Sequence, residues 1–302
     1  MGKKVIFILV FAILLIDLIY ALENFTINVN SPEDNIYNSR KVFIDISSDT
    51  TLDSISFISQ NDKILTQRNL CKHCKKYYGS KTFDEGHQLI SLFATKHLTT
   101  IDYNVSFFID SAKPKIAIIS PRQKSFSNGY NFSLQLIEKN PKSLSINYGN
   151  YVKGFVYRNI DITNECENID NSFLCEFNLF LDDYDSDSIF YDYELVDIAG
   201  NKVKTKPIQV EVDTKKPLLL NPDSFYSYSD SYIDFILDID ENNLKSIKYL
   251  DYGDEEPIYK QLCISLSKSV CKKRVPTRAS THDVSITIID RAGNIKEALL
   301  KK

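Results

Sequence analysis

The sequence predicts an all-β protein built as a tandem array of sandwich modules. Three observations lead there: a two-residue alternation of apolar and polar side chains, a set of landmarks that recurs along the chain, and a composition rich in strand formers. The chain has 302 residues, 43% of them hydrophobic, with 18 Tyr and 18 Phe but only 1 Met. Aromatic and β-branched side chains suit a pleated, half-buried surface, and long Ala-, Leu- and Glu-rich stretches that would favour helix are missing. At roughly 100–150 residues per domain the length allows two or three domains.

The alternation is explicit in Phe25, Ile27 and Val29, in Val42, Ile44 and Ile46, and in Tyr103, Val105, Phe107 and Ile109. It continues through Phe132, Leu134 and Leu136, then Phe173, Cys175, Phe177, Leu179 and Leu181, then Ile208, Val210 and Val212, and finally Val284, Ile286 and Ile288. Such strands turn one side to a core and the other to water, as in two antiparallel sheets packed face to face.

The landmarks recur three times. Ser31-Pro32, Ser120-Pro121 and Asn221-Pro222 each follow an apolar run, and each precedes a short signature: Leu52-Asp-Ser-Ile55, Pro141-Lys-Ser-Leu144 and Leu244-Lys-Ser-Ile247. The signature follows its proline by roughly 20 residues and the whole pattern repeats every 90–100 or so, a domain repeat rather than a solenoid repeat. About seven short strands in such a length outline an immunoglobulin-like sandwich. The expected fold is therefore three tandem immunoglobulin-like β-sandwich modules, residues 22–112, 113–215 and 216–302, after an N-terminal signal segment.

That segment, residues 1–21, opens with Lys3 and Lys4, continues as an apolar run from Val5 to Ile16, and ends at the small residue Ala21. It reads as a secretory signal peptide, with an uncleaved anchor as the alternative. Asp17 shortens the apolar run below the about 20 residues that a membrane span needs. Export places the six cysteines in an oxidising compartment, where pairs read as disulfides. One local pair falls in each module: Cys71 with Cys74, Cys166 with Cys175, and Cys263 with Cys271. The chain-entropy relation gives about 2.5 kcal/mol for the two longer loops and about 2 for the tight one. These bridges are expected to brace local excursions without joining the two sheets. Cys71-Lys-His-Cys74 also offers three zinc ligands, with His87 as the nearest fourth, but neither other module shares the pattern.

The modules close on a common turn, Asp197-Ile-Ala-Gly-Asn201 and Asp290-Arg-Ala-Gly-Asn294. Gly200, Asn201, Gly293 and Asn294 are residue types that tolerate positive φ, and Asp197 and Asp290 can accept hydrogen bonds from turn amides. The competing reading makes these aspartates calcium ligands at a module junction. Each junction carries a related run, Ile109-Asp-Ser-Ala-Lys-Pro114 and Val212-Asp-Thr-Lys-Lys-Pro217. Pro114 and Pro217 hold the preceding lysines extended, and no Gly/Ser linker intervenes, which predicts a semi-rigid array.

These motifs resemble the tandem Ig-like domains of bacterial and archaeal cell-surface, adhesin-type proteins, and the Ser-Pro opening is similar to archaeal examples in particular. The resemblance extends over essentially the whole chain after its signal segment. Module one departs from it, having Ala94-Thr-Lys-His-Leu-Thr-Thr100 where the Ala-Gly-Asn turn belongs. Members of such families serve as adhesins, spacer stalks, surface-layer parts or appendages of exported enzymes. The resemblance therefore implies a fold and an array, with function left to the sites.

The acidic run Asp182-Asp-Tyr-Asp-Ser-Asp187 places Asp183, Asp185, Asp187 and Glu194 at positions 1, 3, 5 and 12 of a calcium loop. Ser188 stands where glycine is wanted and the helical frame is missing, so a solvated loop is the competing reading. Otherwise the sequence requires no cofactor. Asn24, Asn104 and Asn131 head N-x-Ser/Thr sequons. A net charge of −4 with interspersed signs excludes the concentrated basic face of a nucleic-acid binder. No nucleophile–histidine pattern or phosphate-binding glycine loop points to an enzyme. The expected role is a non-catalytic stalk or envelope component, secreted or at the cell surface. The alternative is an adhesin-type module that recognises a glycan or surface protein through exposed aromatics such as Tyr226, Tyr228 and Tyr232.

Overall fold

The computed structural model describes residues 25–60, 67–229, 231–252, 257–276 and 283–300. The N-terminal segment, Asn24 and His282 lie outside them. The chain divides into two compact units, one running to Lys113 and including Asp197–Asn201, the other comprising Pro114–Val196 and the chain from Lys202.

The first unit contains β1 (Ile27–Ser31), β2 (Ile36–Tyr37), β3 (Lys41–Ser59), β4 (Arg68–Thr82), β5 (Gly86–Lys96) and β6 (Thr99–Ile109). The strand order is β1-β3-β5-β6-β2, with β4 also on β3. β3 is one 19-residue strand, where short strands were expected. Its first half pairs with β1 and its second with β5, and its register against β4 slips between Ser47 and Leu52. Such an irregularity bends a strand and increases its twist, so β3 serves both layers. No glycine or proline in Lys41–Ser59 stops it. Between the layers lie Val42, Ile44, Ile46, Leu52, Ile55, Phe57, Ile90, Leu92, Val105 and Phe107, with the Phe83 ring edge-on to Phe107 at 5.2 Å. Tyr103 breaks the predicted alternation: it is 41% exposed.

The turn that lacks Ala-Gly-Asn is built differently. Lys96 pairs with Thr99, leaving His97 and Leu98 as a two-residue turn, with His97 at φ 52°. The His97 N–H donates to Asp53 Oδ2 at 2.6 Å, so the Leu52-Asp-Ser-Ile55 signature supplies the carboxylate that holds this hairpin.

The second unit holds two cores. Around the first are β7 (Lys115–Ser120), β8 (Phe126–Ser127), β9 (Phe132–Ile137), β10 (Pro141–Asn150), β11 (Gly154–Ile160), the single-turn α1 (Ile162–Glu165), β12 (Cys166–Ile169), β13 (Ser172–Phe177), β14 (Ser188–Asp197), β15 (Lys202–Lys204) and β16 (Ile208–Val212). One sheet runs β11-β10-β14-β16-β8, with β15 on β14, and faces a second, β12-β13-β9-β7. Phe132, Leu134, Leu136, Ile146, Ile189, Tyr191, Tyr193 and Val210 fill the space between. Each such fully buried aliphatic or Phe side chain contributes roughly 1.5–3 kcal/mol.

Around the other core are β17 (Leu218–Leu219), β18 (Tyr226–Ser229), β19 (Tyr232–Asp240), β20 (Leu244–Asp251), β21 (Lys260–Cys263), β22 (Val270–Pro276), β23 (Val284–Asp290) and β24 (Ile295–Leu300). β19 carries β17 and β18 along one side and β22 along the other, while β21-β20-β23-β24 forms the facing sheet. Phe235, Leu237, Ile239, Ile247, Ile286 and Ile288 are wholly buried here. Among the described residues no helix is long and apolar enough to cross a membrane.

Candidate functional site

The recurring turn is the most elaborated polar feature of the chain. In the second unit the Asp290 carboxylate is fully buried and accepts two hydrogen bonds from Asn294: Oδ1 from the backbone N–H and Oδ2 from the side-chain amide, both at 2.8 Å. Gly293, at φ +92°, supplies the left-handed residue that lets Asn294 fold back. The same Asn294 Nδ2 also donates to the carbonyl oxygen of Asp213 at 2.8 Å, and its Oδ1 accepts from Asn128 Nδ2 at 3.2 Å. Asn243 adds a bond from its Nδ2 to Asp213 Oδ2 at 3.2 Å, and its carbonyl accepts from the Arg291 N–H at 2.8 Å. The turn of one sandwich thus grips the backbone where the preceding sandwich ends.

The first unit repeats the geometry. The backbone N–H and side-chain amide of Asn201 donate to Asp197 Oδ1 and Oδ2, both at 2.8 Å, and Asn201 Nδ2 reaches the Asp110 carbonyl at 2.8 Å. Gly200 lies at φ +83°. Sequence reasoning identified these turns but missed their reach to Asp110 and Asp213. Its one available signal was the recurrence of Asp in the two junction runs.

Asp213, Glu241 and Asp290 each bring a carboxylate oxygen within 4.8 Å of the others. This is the arrangement to which the junction-calcium reading of Asp290 belongs, and its donors suit a hard, oxygen-binding cation. Beside it lies an open cleft of about 700 Å³ lined by Glu211, Asp213, Lys215, Lys216 and Asp240 among others. Burial, with the Asp213 charge adding, pushes the Asp290 and Glu241 carboxyls above the usual range, against the hydrogen bonds that lower them. A raised folded-state pKa favours the protonated form, so this contribution to stability is present at acid pH and lost as pH rises through the folded value. Glu241→Gln is therefore expected to stabilise the protein at pH 7 by roughly 0.5 kcal/mol, the scale of a relieved like-charge contact. In urea titrations the gain should close near pH 4.

The structure does not bring the predicted calcium loop together. Asp183 lies in the single 3-10 turn Asp182–Tyr184. Asp185 turns to Thr214 and Lys215, Asp187 pairs with Lys153 at 2.7 Å, and Glu194 pairs with Lys202 at 2.9 Å. The cause is β14, which begins at Ser188: at about 3.3 Å per residue it carries Glu194 roughly 20 Å beyond the run.

Asp185 instead ties down the exit segment of its sandwich. Lys215, then the Thr214 amide, hold its carboxyl at about 2. With the folded value below the unfolded one, the stabilisation is complete above about pH 4 and lost as pH falls through 2. Because Lys215 is largely exposed and its share is screened, Asp185→Asn is expected to cost on the order of 1–2 kcal/mol at neutral pH. Acid titration of wild type and variant should converge by about pH 2.

All six cysteines are paired as the sequence suggests, and the Cys71 and Cys74 thiols are bonded to each other rather than offered to zinc. Their placement corrects one expectation. Cys71–Cys74 lies within β4 and Cys166–Cys175 links neighbours in one sheet, but Cys263 is on β21 and Cys271 on β22, so the third bridge joins the two sheets.

Asn104 and Asn131 are exposed. Tyr226 and Tyr228 pair with the buried Phe235 and Ile233 across β18 and β19; Tyr226 packs against the core, whereas Tyr228 is exposed and Tyr232, under Arg274, is exposed as well. A more exposed aromatic patch lies on another hairpin, β10–β11, where Tyr151 and Val152 are 85% and 89% exposed.

No protein-family model matches the chain, and neither does any curated protein sequence. Among solved structures it is similar to the FN1–FN3 domains of chicken CNTN1, with a TM-score of 0.40 and 10% identity over 91% of this chain and 98% of that one. It is also similar to the ICAM-5 D1–D4 ectodomain fragment, with TM-score 0.41 and 9% identity over 92% and 76%. The fibronectin(III)-like modules of Clostridium thermocellum CbhA give 0.30 and 11% over 63% and 94%. The fold itself rests on the paired sheets and cores described above: the chain is an all-β protein of tandem immunoglobulin-like sandwiches.

Proposed function

We propose that this chain is an exported, non-catalytic spacer or envelope component that stands as a semi-rigid stalk at the cell surface. The observation that carries the reading is Asn294, whose amide holds its own turn through Asp290 and the end of the preceding strand through the Asp213 carbonyl. A joint whose side chain is committed on both sides resists bending, which a spacer needs and an isolated binding module does not. Three disulfides accord with an oxidising, extracellular setting. Small-angle X-ray scattering of the purified chain tests the proposal. The wild-type curve should be fitted by a single conformation, and that of Asn294→Ala should need a wider ensemble; a wild type that already needs a wide ensemble, unchanged by the substitution, counts against it.

A second reading, an adhesin-type module for a surface protein or glycan, is favoured by the exposed Tyr151–Val152 tip. Glycan-array binding that disappears in Tyr151→Ala would support it.

A further inference from the structure

A free sheet edge offers unpaired N–H and C=O groups to any passing strand, and soluble proteins guard such edges with charge, shortness or proline. Three of the edges here are guarded in this way. Next to the signature-bearing β3, the edge strand β4 carries Lys72, Lys75 and Lys76. Next to β20, the edge strand β21 is four residues long, bears Lys260 and is tied by its disulfide. β22 carries Lys272, Lys273 and Arg274 and ends at Pro276.

The corresponding edge in the remaining sandwich is different. β11 is a seven-residue edge strand, Gly-Phe-Val-Tyr-Arg-Asn-Ile, paired on one side with β10. Its single charge, Arg158, is occupied by the Glu165 carboxylate and the Asn178 carbonyl. Phe155, Val156 and Tyr157 are 44%, 43% and 64% exposed. The Tyr151 ring packs edge-on to Phe155 at 5.6 Å and to Phe190 at 5.8 Å, which gives the hairpin a braced apolar surface rather than loose side chains.

We propose that β11 pairs edge to edge, antiparallel, with β11 of a second copy of this chain. The strand's own sequence selects that occupant. A two-fold axis through Val156 sets Phe155 opposite Tyr157 twice, Arg158 opposite Gly154, and Lys153 opposite Asn159, so aromatics meet aromatics and no like charges face one another. Cross-strand pairs of these types stabilise a sheet, and an isologous two-fold contact closes on itself instead of propagating. The inference deepens the envelope-component reading, on which it rests, by naming the partner as a neighbouring copy. An edge contact of this length is small beside the about 1,600 Å² of a standard interface, so the pair is weak in dilute solution, with a Kd on the order of tens of micromolar. Anchoring copies side by side raises their effective concentration into the range where it forms.

Sedimentation equilibrium of the full chain from about 1 to 200 µM tests this. The wild type should follow a monomer–dimer equilibrium. Val156→Lys and Val156→Glu, each placing like charges at the axis, should weaken it at least tenfold, and an equimolar mixture of the two should restore a dimer. Val156 is a partly exposed edge residue, and unchanged melting curves would show that both variants fold. A wild type that stays monomeric throughout, a dimer indifferent to either substitution, or a mixture that fails to recover would each overturn the proposal. Asn294→Ala should leave the dimer constant unchanged, so failure of edge pairing and failure of the semi-rigid joint are read separately.

Discussion

Asp290→Ala is expected to destabilise the sandwich around β19–β24 by about 3 kcal/mol. The substitution removes a fully buried carboxylate that accepts two hydrogen bonds. It also strands the Asn294 donors, themselves only 7% exposed. Bonds to charged acceptors are worth roughly 1.5–3 kcal/mol each, and a buried donor without a partner adds its desolvation cost. The raised pKa of Asp290 works the other way: burying this carboxylate already costs the folded state something, which is why the net figure lies below the sum of the two bonds. Asn294→Ala should cost less for folding, because the backbone N–H of residue 294 still donates to Asp290 Oδ1. Chemical denaturation of both variants checks the order. A loss from Asn294→Ala equal to or larger than that from Asp290→Ala would contradict it.

Removal of the Cys263–Cys271 bridge is the second large effect. Its eight-residue separation gives about 2.5 kcal/mol from loop closure, and replacing Cys271, 1% exposed within the core, with alanine adds a small cavity. The double alanine variant should lose about 3 kcal/mol. The corresponding Cys71/Cys74 variant should lose about 2 or less, since that bridge lies inside one strand. Urea midpoints of the two double variants test the ranking, and a larger loss from Cys71/Cys74 would contradict the sheet-joining role assigned to the third bridge.

The fold was legible because the alternation is a local signal: Phe132, Leu134 and Leu136, spaced by two, are all fully buried. The signal weakens where strands leave the simple pattern. Tyr103 keeps the period but lies on the exposed part of β6, and the bend in β3 cannot be seen in a run without glycine or proline. The calcium-loop spacing matched by counting alone, since the count takes no notice of β14 extending the chain.

The turn was readable as a turn from Gly200 and Gly293. Its second task was not, because the partners of Asn201 and Asn294 lie far away in sequence. Likewise, the sheet-joining character of Cys263–Cys271 depends on which strand each cysteine enters, something that the short separation hides. Of the tyrosines expected to be exposed, Tyr228 and Tyr232 are, whereas Tyr226 packs against the core opposite Phe235. The apolar edge of β11 could be appreciated only once strand order showed it to have a single neighbour.

The most direct test of the joint is hydrogen–deuterium exchange on the intact chain. Peptides covering residues 211–217 and 288–296 should be protected in the wild type. In particular, the amides of Asp213, bonded to the Ser127 carbonyl at 3.0 Å, and of Asn294, bonded to Asp290, should exchange slowly. Asn294→Ala should speed exchange of the first peptide as well as the second, because the side chain spans both. Rapid exchange at residues 211–217 in the wild type, or protection there that survives the substitution, would contradict the account of the turn as the device that couples one sandwich to the next.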